Sequence, residues 1–202
     1  MIYPKIKNVY KRDPDTHKLT EEFSTVEFKY LSLCPWEVTE KVDGTNIRMI
    51  WTGEHLVFKG RTDRAEIPDH LLDHLLDFDE GRFSDLFGTT PAVIYGEGYG
   101  AKIQSGHKYM SGVSYIVFDI NIGDVWLRRN DVEEIATKLG LRHVPNLGVM
   151  SLLEAIRLAR NGFESKLGRT QAEGVVVRPL VELSDRLGNR IIAKVKTLDK
   201  AW

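Results

Sequence analysis

The chain has a single cysteine, Cys34, so no intrachain disulfide can form and the fold must rest on its apolar core. No apolar run reaches transmembrane length, and the opening residues MIYPKIKNVYKRD hold no apolar stretch of the kind a secretory signal needs. Cytoplasmic is therefore the expected compartment, with no membrane partner. Neither sign of charge dominates. The 28 basic and 29 acidic residues leave a net charge of -1, which excludes a uniformly basic nucleic-acid binder but permits a local basic surface. Internal repeats, low-complexity tracts and linkers are absent as well. What is present is a chain of 202 residues, long enough to bury a substantial core and most simply read as one domain.

Residues 1–35 read as an irregular lead-in with one strand. Trp36–Lys41 and Asn46–Thr52 are rich in β-branched and aromatic residues and flank Asp43-Gly44, which predicts two strands around a tight turn. His55–Gly60 predicts a third strand. Across Pro68–Phe78 the period changes, and Leu71, Leu72, Leu75 and Leu76 define an apolar helix face. Ala92–Glu97 and Tyr115–Ile120 return to strand composition. Two helices carry start signals: Asn130–Leu139, with an Asn cap and Glu133 three residues on, and Ser151–Ala159, with Ser151 three before Glu154. Gly174–Arg178 and Arg190–Lys196 predict the last strands. Many strands with a few inserted helices imply an α+β fold with antiparallel sheets and flanking helices.

Five segments carry candidate chemistry. Glu40-Lys41-Val42-Asp43-Gly44-Thr45-Asn46 sets a lysine at a strand end before a glycine. Gly96-Glu97-Gly98 flanks a carboxylate with residues that let a ligand approach the backbone closely. Tyr115-Ile116-Val117-Phe118-Asp119-Ile120 is a buried-strand pattern, and Glu173-Gly174-Val175-Val176-Val177-Arg178 places a carboxylate directly before another. In Ala193-Lys194-Val195-Lys196 the two lysines are two apart, hence on one face of a strand, where they repel unless an anion lies between them. Taken singly, each has a plainer explanation: a solvated strand-end lysine, a turn, core.

In this order, however, the segments resemble the covalent nucleotidyltransferase superfamily, which contains ATP-dependent DNA ligases, RNA ligases and mRNA capping enzymes. KVDGTN resembles the nucleophile motif, and YGEG, YIVFDI, EGVVVRP and AKVK resemble the later motifs, spanning Lys41 to Lys196. DNA ligases and capping enzymes usually end the first motif in arginine. Asn46 in that place, with Phe58-Lys59-Gly60-Arg61-Thr62 further on, is similar to the RNA-ligase-2-like branch, which includes phage and kinetoplastid editing enzymes. Asp43 departs from that branch, which often has histidine there.

The resemblance implies an ATP-grasp-like adenylation domain and a reaction in three steps. Lys41 takes AMP from ATP, AMP passes to a 5′-phosphate end, and a 3′-hydroxyl displaces it. A lysine amine attacks only when unprotonated, and free lysine titrates near about 10.4, so neighbouring cations such as Lys194, Lys196 and a metal ion favour the reactive form. By resemblance, Glu173 holds magnesium or manganese, Glu97 binds ribose, Phe118 stacks on adenine, Asn46 and Arg61 contact ribose or phosphates, and the carbonyl of Glu40 reads the adenine amino group. The implied substrates are RNA ends, nicked duplex among them, with DNA ends as an alternative, in an RNA-repair role. A minimal DNA ligase, a guanylyltransferase and a non-catalytic nucleotide- or RNA-binding module are the competing readings. Relatives usually carry a C-terminal OB-fold or helical domain, and the expectation for residues 1–202 is a single adenylation domain without either, acting as a monomer; a phage source is compatible with this.

Other signals point less clearly. His70 and His74, four apart, match half of a zinc motif without its glutamate, so a solvated helix face is the simpler reading. Gly96-x-Gly98-x-x-Ala101 fits a dinucleotide fingerprint only if a helix opens there, and Gly100, Gly106 and Gly112 argue against one. Lys102, His107, Lys108, Arg128 and Arg129, with Tyr99 and Tyr109, are candidates for a phosphate-binding surface. Cys34, with no Cys or His partner nearby in sequence, is expected to be buried or inert.

Overall fold

Strands predominate in the computed structural model, which describes residues 1–197. In chain order they begin with β1 (Lys7–Asn8), β2 (Tyr10–Arg12), β3 (Leu19–Phe23), α1 (Val26–Tyr30), β4 (Pro35–Glu40), β5 (Thr45–Trp51) and β6 (Leu56–Gly60). Next come α2 (Asp69–Leu76), α3 (Glu80–Phe87), β7 (Ala92–Gly100), β8 (Val113–Ile122), β9 (Val125–Trp126) and α4 (Arg129–Lys138). β10 (Arg142–His143), β11 (Asn146–Ser151), α5 (Leu152–Asn161), β12 (Gly174–Pro179) and β13 (Ala193–Lys196) complete the described chain. The chain forms two compact units, one of Met1–Tyr3 with Asp43–Val144, the other of Pro4–Val42 with the chain from Pro145 onward.

The first unit is built on one sheet in the order β10-β8-β7-β5-β6, with β9 beside β8. Its pairs are antiparallel except β10 with β8. Alternation along β5, β7 and β8 turns Ile47, Met49, Ile94, Val117 and Ile120 onto a core shared with Leu71 and Leu75 of α2, Phe83 of α3, and Val132 and Ala136 of α4. Each large side chain so buried contributes about 1.5–3 kcal/mol. The second unit has a sheet in the order β1-β13-β12-β4-β11, antiparallel except β1 with β13, and a separate β2-β3 ribbon. Leu152, Ala155, Ile156 and Ala159 of α5 pack on Trp36, Val38, Val175 and Val177 of this sheet.

The expected α+β class and most of the expected strands are present. Several local expectations are not. β4 and β5 do not pair with each other. β4 lies between β12 and β11, and β5 between β6 and β7. Gly44 is required for a different reason than a hairpin: a Cβ there would meet the carbonyl oxygen of Gly98 at 2.2 Å. Residues 1–35 hold three strands and a helix where one strand was expected. On α2, Leu71 and Leu75 are buried but Leu76 is 64% exposed. α4 starts at Arg129 with Arg128 as an uncapped N-cap, so Asn130 sits inside the helix. α5 does begin at Ser151, with the full capping box to Glu154. α3 was not anticipated. Of the two alternatives for Cys34, buried or inert, the first is not met, since the residue is exposed.

Candidate active site

The ladder of the second unit brings three of the candidate residues together. Lys41 follows the last residue of β4, and its backbone N–H donates to the carbonyl of Gly174 at 2.9 Å. Glu173 precedes the first residue of β12, and Gly174 stands opposite Lys196 on β13. Two charged contacts result: Lys41 Nζ to Glu173 Oε2 at 2.6 Å, and Lys196 Nζ to Glu173 Oε1 at 2.7 Å. The carboxylate side chain is 11% exposed and the Lys41 side chain 19%, which strengthens both contacts relative to a surface pair. Lys41 Nζ also lies 3.5 Å from its neighbour's carbonyl, that of Val42.

Gly174 makes this packing possible. Its φ is +150°, and a Cβ would lie 2.0 Å from the carbonyl oxygen of Val195. On β13, Ala193 and Val195 face the core while Lys194 and Lys196 share the more open face, as their spacing predicted. Two ammonium groups on one carboxylate leave a locally cationic cluster, the sign needed to receive a polyphosphate.

Glu40 is the surprise of this unit. Its residue is 1% exposed, and its carboxylate points away from solvent onto the segment before Glu173. Ser165 Oγ donates to one oxygen, and the backbone N–H of Lys166 donates to the other at 2.9 Å. The sequence suggested a role only for the Glu40 carbonyl; the available signal was an acid directly before the nucleophile candidate, at the end of an apolar strand.

In the first unit, Asn46 on β5 stands directly opposite Glu97 on β7. The buried side-chain oxygen of Asn46 has no hydrogen-bond partner among the described residues, which leaves an acceptor available to a ligand. Phe118 sits in a bulge. Tyr95 faces Asp119 and Gly96 faces Val117, so Phe118 has no opposite residue, a device that re-aims a side chain. Its half-buried ring meets Tyr3 edge-on at 5.0 Å. Arg61 is exposed just past β6, while nearby Arg48 and Lys59 share Asp63, at 2.9 and 3.5 Å. Packing alone requires the glycines beside Glu97: a Cβ on Gly96 would strike the Tyr115 ring at 2.4 Å, and one on Gly98 would strike Leu71 at 2.4 Å. Burial, with the Glu97 charge adding to it, pushes the Tyr115 hydroxyl well above its usual range.

The candidate phosphate surface is only partly a surface. Lys102, His107 and Arg128 are exposed, but Tyr99, Tyr109 and Arg129 are buried. Arg129 donates to the Phe118 carbonyl at 2.9 Å, Arg142 to the Tyr99 hydroxyl at 2.9 Å, and the Asp43 N–H to the Tyr109 hydroxyl at 3.3 Å. These residues build the scaffold because their ring and guanidinium groups satisfy buried polar atoms. β7 continues through Gly100 with no helix opening at its glycines. His70 meets the Ala101 carbonyl at 3.1 Å, and His74 packs on Phe78. Among the described residues, no group of three or more His, Cys, Asp or Glu side chains is placed to hold a metal. No helix there is long and apolar enough to cross a membrane.

Comparison with known proteins adds a family and a fold. The RNA ligase family profile matches residues 34–196, a stretch containing every candidate above. No curated protein sequence matches the chain. The solved structures that resemble it include three of Naegleria gruberi RNA ligase. A mutant in the apo form has a TM-score of 0.66 at 16% identity, over 96% of this chain and 61% of that one. A second mutant, with ATP and Mn, has a TM-score of 0.66 at 16% identity, over 98% and 60%. The form with PPi has a TM-score of 0.63 at 18% identity, over 96% and 61%. Identities this low show a shared fold. The chain spans about three fifths of the length of those proteins.

Proposed function

This chain belongs to the RNA ligase family, and we propose that it is an ATP-dependent RNA ligase that carries AMP on Lys41 and seals 5′-phosphate to 3′-hydroxyl ends. The observation that carries the reading is the Lys41–Glu173–Lys196 cluster, in which one carboxylate holds two lysines at 2.6 and 2.7 Å. In the first step the neutral Lys41 amine attacks the α-phosphorus of ATP. An N–P bond forms, the P–O bond to the β-phosphate breaks, pyrophosphate leaves, and the amine releases its remaining extra proton to solvent. In the second, a 5′-phosphate oxygen attacks the same phosphorus, a P–O bond forms, the N–P bond breaks, and the departing nitrogen takes up a proton from solvent, returning the Lys41 amine. In the third, a 3′-hydroxyl attacks the end phosphate, loses its proton, and AMP leaves.

Lys196, and Lys194 along the same face, supply positive charge for the phosphoryl oxygens. Magnesium commonly takes one or two carboxylates and completes its shell with phosphate and water oxygens, so Glu173 suffices as its protein ligand without a multi-residue cage. A divalent ion on Glu173 would add positive charge beside the Lys41 amine and favour its neutral form. A structurally similar ligase is described with ATP and Mn, in keeping with ATP and a divalent ion here. The unpaired Asn46 oxygen, Glu97 opposite it, the re-aimed Phe118 ring and the exposed Arg61 are the groups proposed to contact the nucleotide, and the Glu40 carbonyl is proposed to read adenine.

The test is covalent labelling. Incubation with magnesium and α-labelled ATP should give a labelled protein on a denaturing gel, and Lys41→Ala should give none. Undiminished label in that variant would remove the assignment of the nucleophile. Label from GTP in place of ATP would make the enzyme a guanylyltransferase.

A further inference from the structure

The buried carboxylate next to Lys41 has no part in the reaction just described, yet the structure surrounds it with specific partners. Among the described residues Glu40 forms no ion pair; its carboxylate is held by two neutral donors, the Ser165 hydroxyl and the Lys166 backbone N–H, the latter at 2.9 Å. Lys166 turns its own ammonium elsewhere, to the Asn146 carbonyl at 3.2 Å. Burying a carboxylate without an ion-pair partner is costly, so an apolar or amide side chain would fill this space at less cost.

The partners belong to a small hairpin. Ser165 N–H donates to Thr170 at 2.8 Å, Ala172 N–H donates to Phe163 at 3.0 Å, and Glu164 bridges Gln171. The hydroxyl that binds Glu40 also accepts from the Leu167 N–H at 3.0 Å, so it fixes the hairpin tip as well. This hairpin runs directly into Glu173. The result is a closed circuit: Glu40 holds the hairpin, the hairpin delivers Glu173, and Glu173 holds Lys41, the residue bonded to Glu40.

We propose that Glu40 is a positioning residue for adenylylation, its carboxylate clamping the 163–172 hairpin through Ser165 so that Glu173 is held in register with Lys41. This rests on the ligase reading above and extends it to two side chains, those of Glu40 and Ser165, that touch neither the nucleotide nor the metal. The clamp concerns the step in which Lys41 attacks. Sealing of an end that already carries AMP needs no attack by Lys41, so the two activities should separate.

The experiment compares the whole chain with S165A, S165T and E40Q in two assays. One is the single-turnover rate of lysyl-AMP formation from ATP and magnesium, the other the sealing of a preadenylylated RNA end. S165A should slow adduct formation by about tenfold, the scale of one lost hydrogen bond to a charged group, while changing sealing by less than about twofold. S165T, which keeps the hydroxyl, should restore most of the rate. E40Q, which keeps the backbone carbonyl but presents an amide N–H to the Lys166 N–H or the Ser165 hydroxyl, should slow adduct formation as S165A does if it folds; S165A carries the test if it does not. Equal slowing of both assays would reduce the clamp to a general packing element, and an unchanged adduct rate in S165A would overturn the proposal. A native chain that forms no adduct at all would instead remove the ligase reading beneath it, and this inference with it.

Discussion

At the scale of single residues, Tyr115 shows how burial sets a titration. Its hydroxyl donates to the Ile94 carbonyl at 3.0 Å in a site closed to solvent, and ionisation there would place a charge in the core. Burial first and the Glu97 charge second raise its pKa. For a raised pKa the associated stability is complete below the unfolded-state value of about 10 and is lost as pH rises through the folded value. Alkaline titration followed at 295 nm should therefore show a tyrosine that ionises only with unfolding, and Tyr115→Phe should remove that late step; a normal early titration of every tyrosine would contradict the packing. Gly174 makes the second residue-scale case. Gly174→Ala would drive a Cβ into the Val195 carbonyl from a φ of +150°. Urea denaturation should show a loss of about 1–3 kcal/mol, and adduct formation should fall with it as the start of β12 shifts away from Lys41.

The elements separate periodic signals from contextual ones. α5 was legible because its cap and its apolar stripe agree. Ser151→Ala should cost about 1 kcal/mol by thermal or urea unfolding. The Ser151 hydroxyl and backbone N–H hold the Glu154 carboxyl below its ordinary range. Its small contribution is thus present above the unfolded pKa and fades as pH falls through the lower folded one, which NMR titration of Glu154 can check. α2 offers a sharper contrast. Leu71→Ala should cost about 2–5 kcal/mol and Leu76→Ala less than about 0.5, because the first is fully buried and the second 64% exposed. Similar losses at both positions would mean the apolar face is wrongly placed. α3 escaped notice because Gly81, Arg82, Ser84 and Asp85 dilute its pattern; the signals were Asp79 as cap and Phe83 and Phe87 four apart. α4 starts one position before its apparent asparagine cap. There the Arg129 guanidinium binds the Phe118 carbonyl, and that long-range contact outweighs a local preference.

At the scale of the molecule, the charged cluster leads to a prediction about metal. Chelation of divalent ions before ATP is added should abolish adduct formation, and magnesium or manganese should restore it; labelling that survives chelation would remove the role proposed for Glu173. The exposed basic residues Lys102, His107 and Arg128 lead to another: RNA binding should weaken as salt rises, and a salt-independent affinity would argue against phosphate contacts. The sequence by itself determined the α+β class, the composition of most strands and the ordered motifs from Lys41 to Lys196, because these depend on residue type, period and spacing along the chain. Only the tertiary structure decided which strands are neighbours, since alternation marks the apolar face of a strand without naming its partner. For the same reason it alone put Glu173 between Lys41 and Lys196. The ion pair joins positions 132 residues apart, and the distance between them depends on sheet register, which no local pattern encodes.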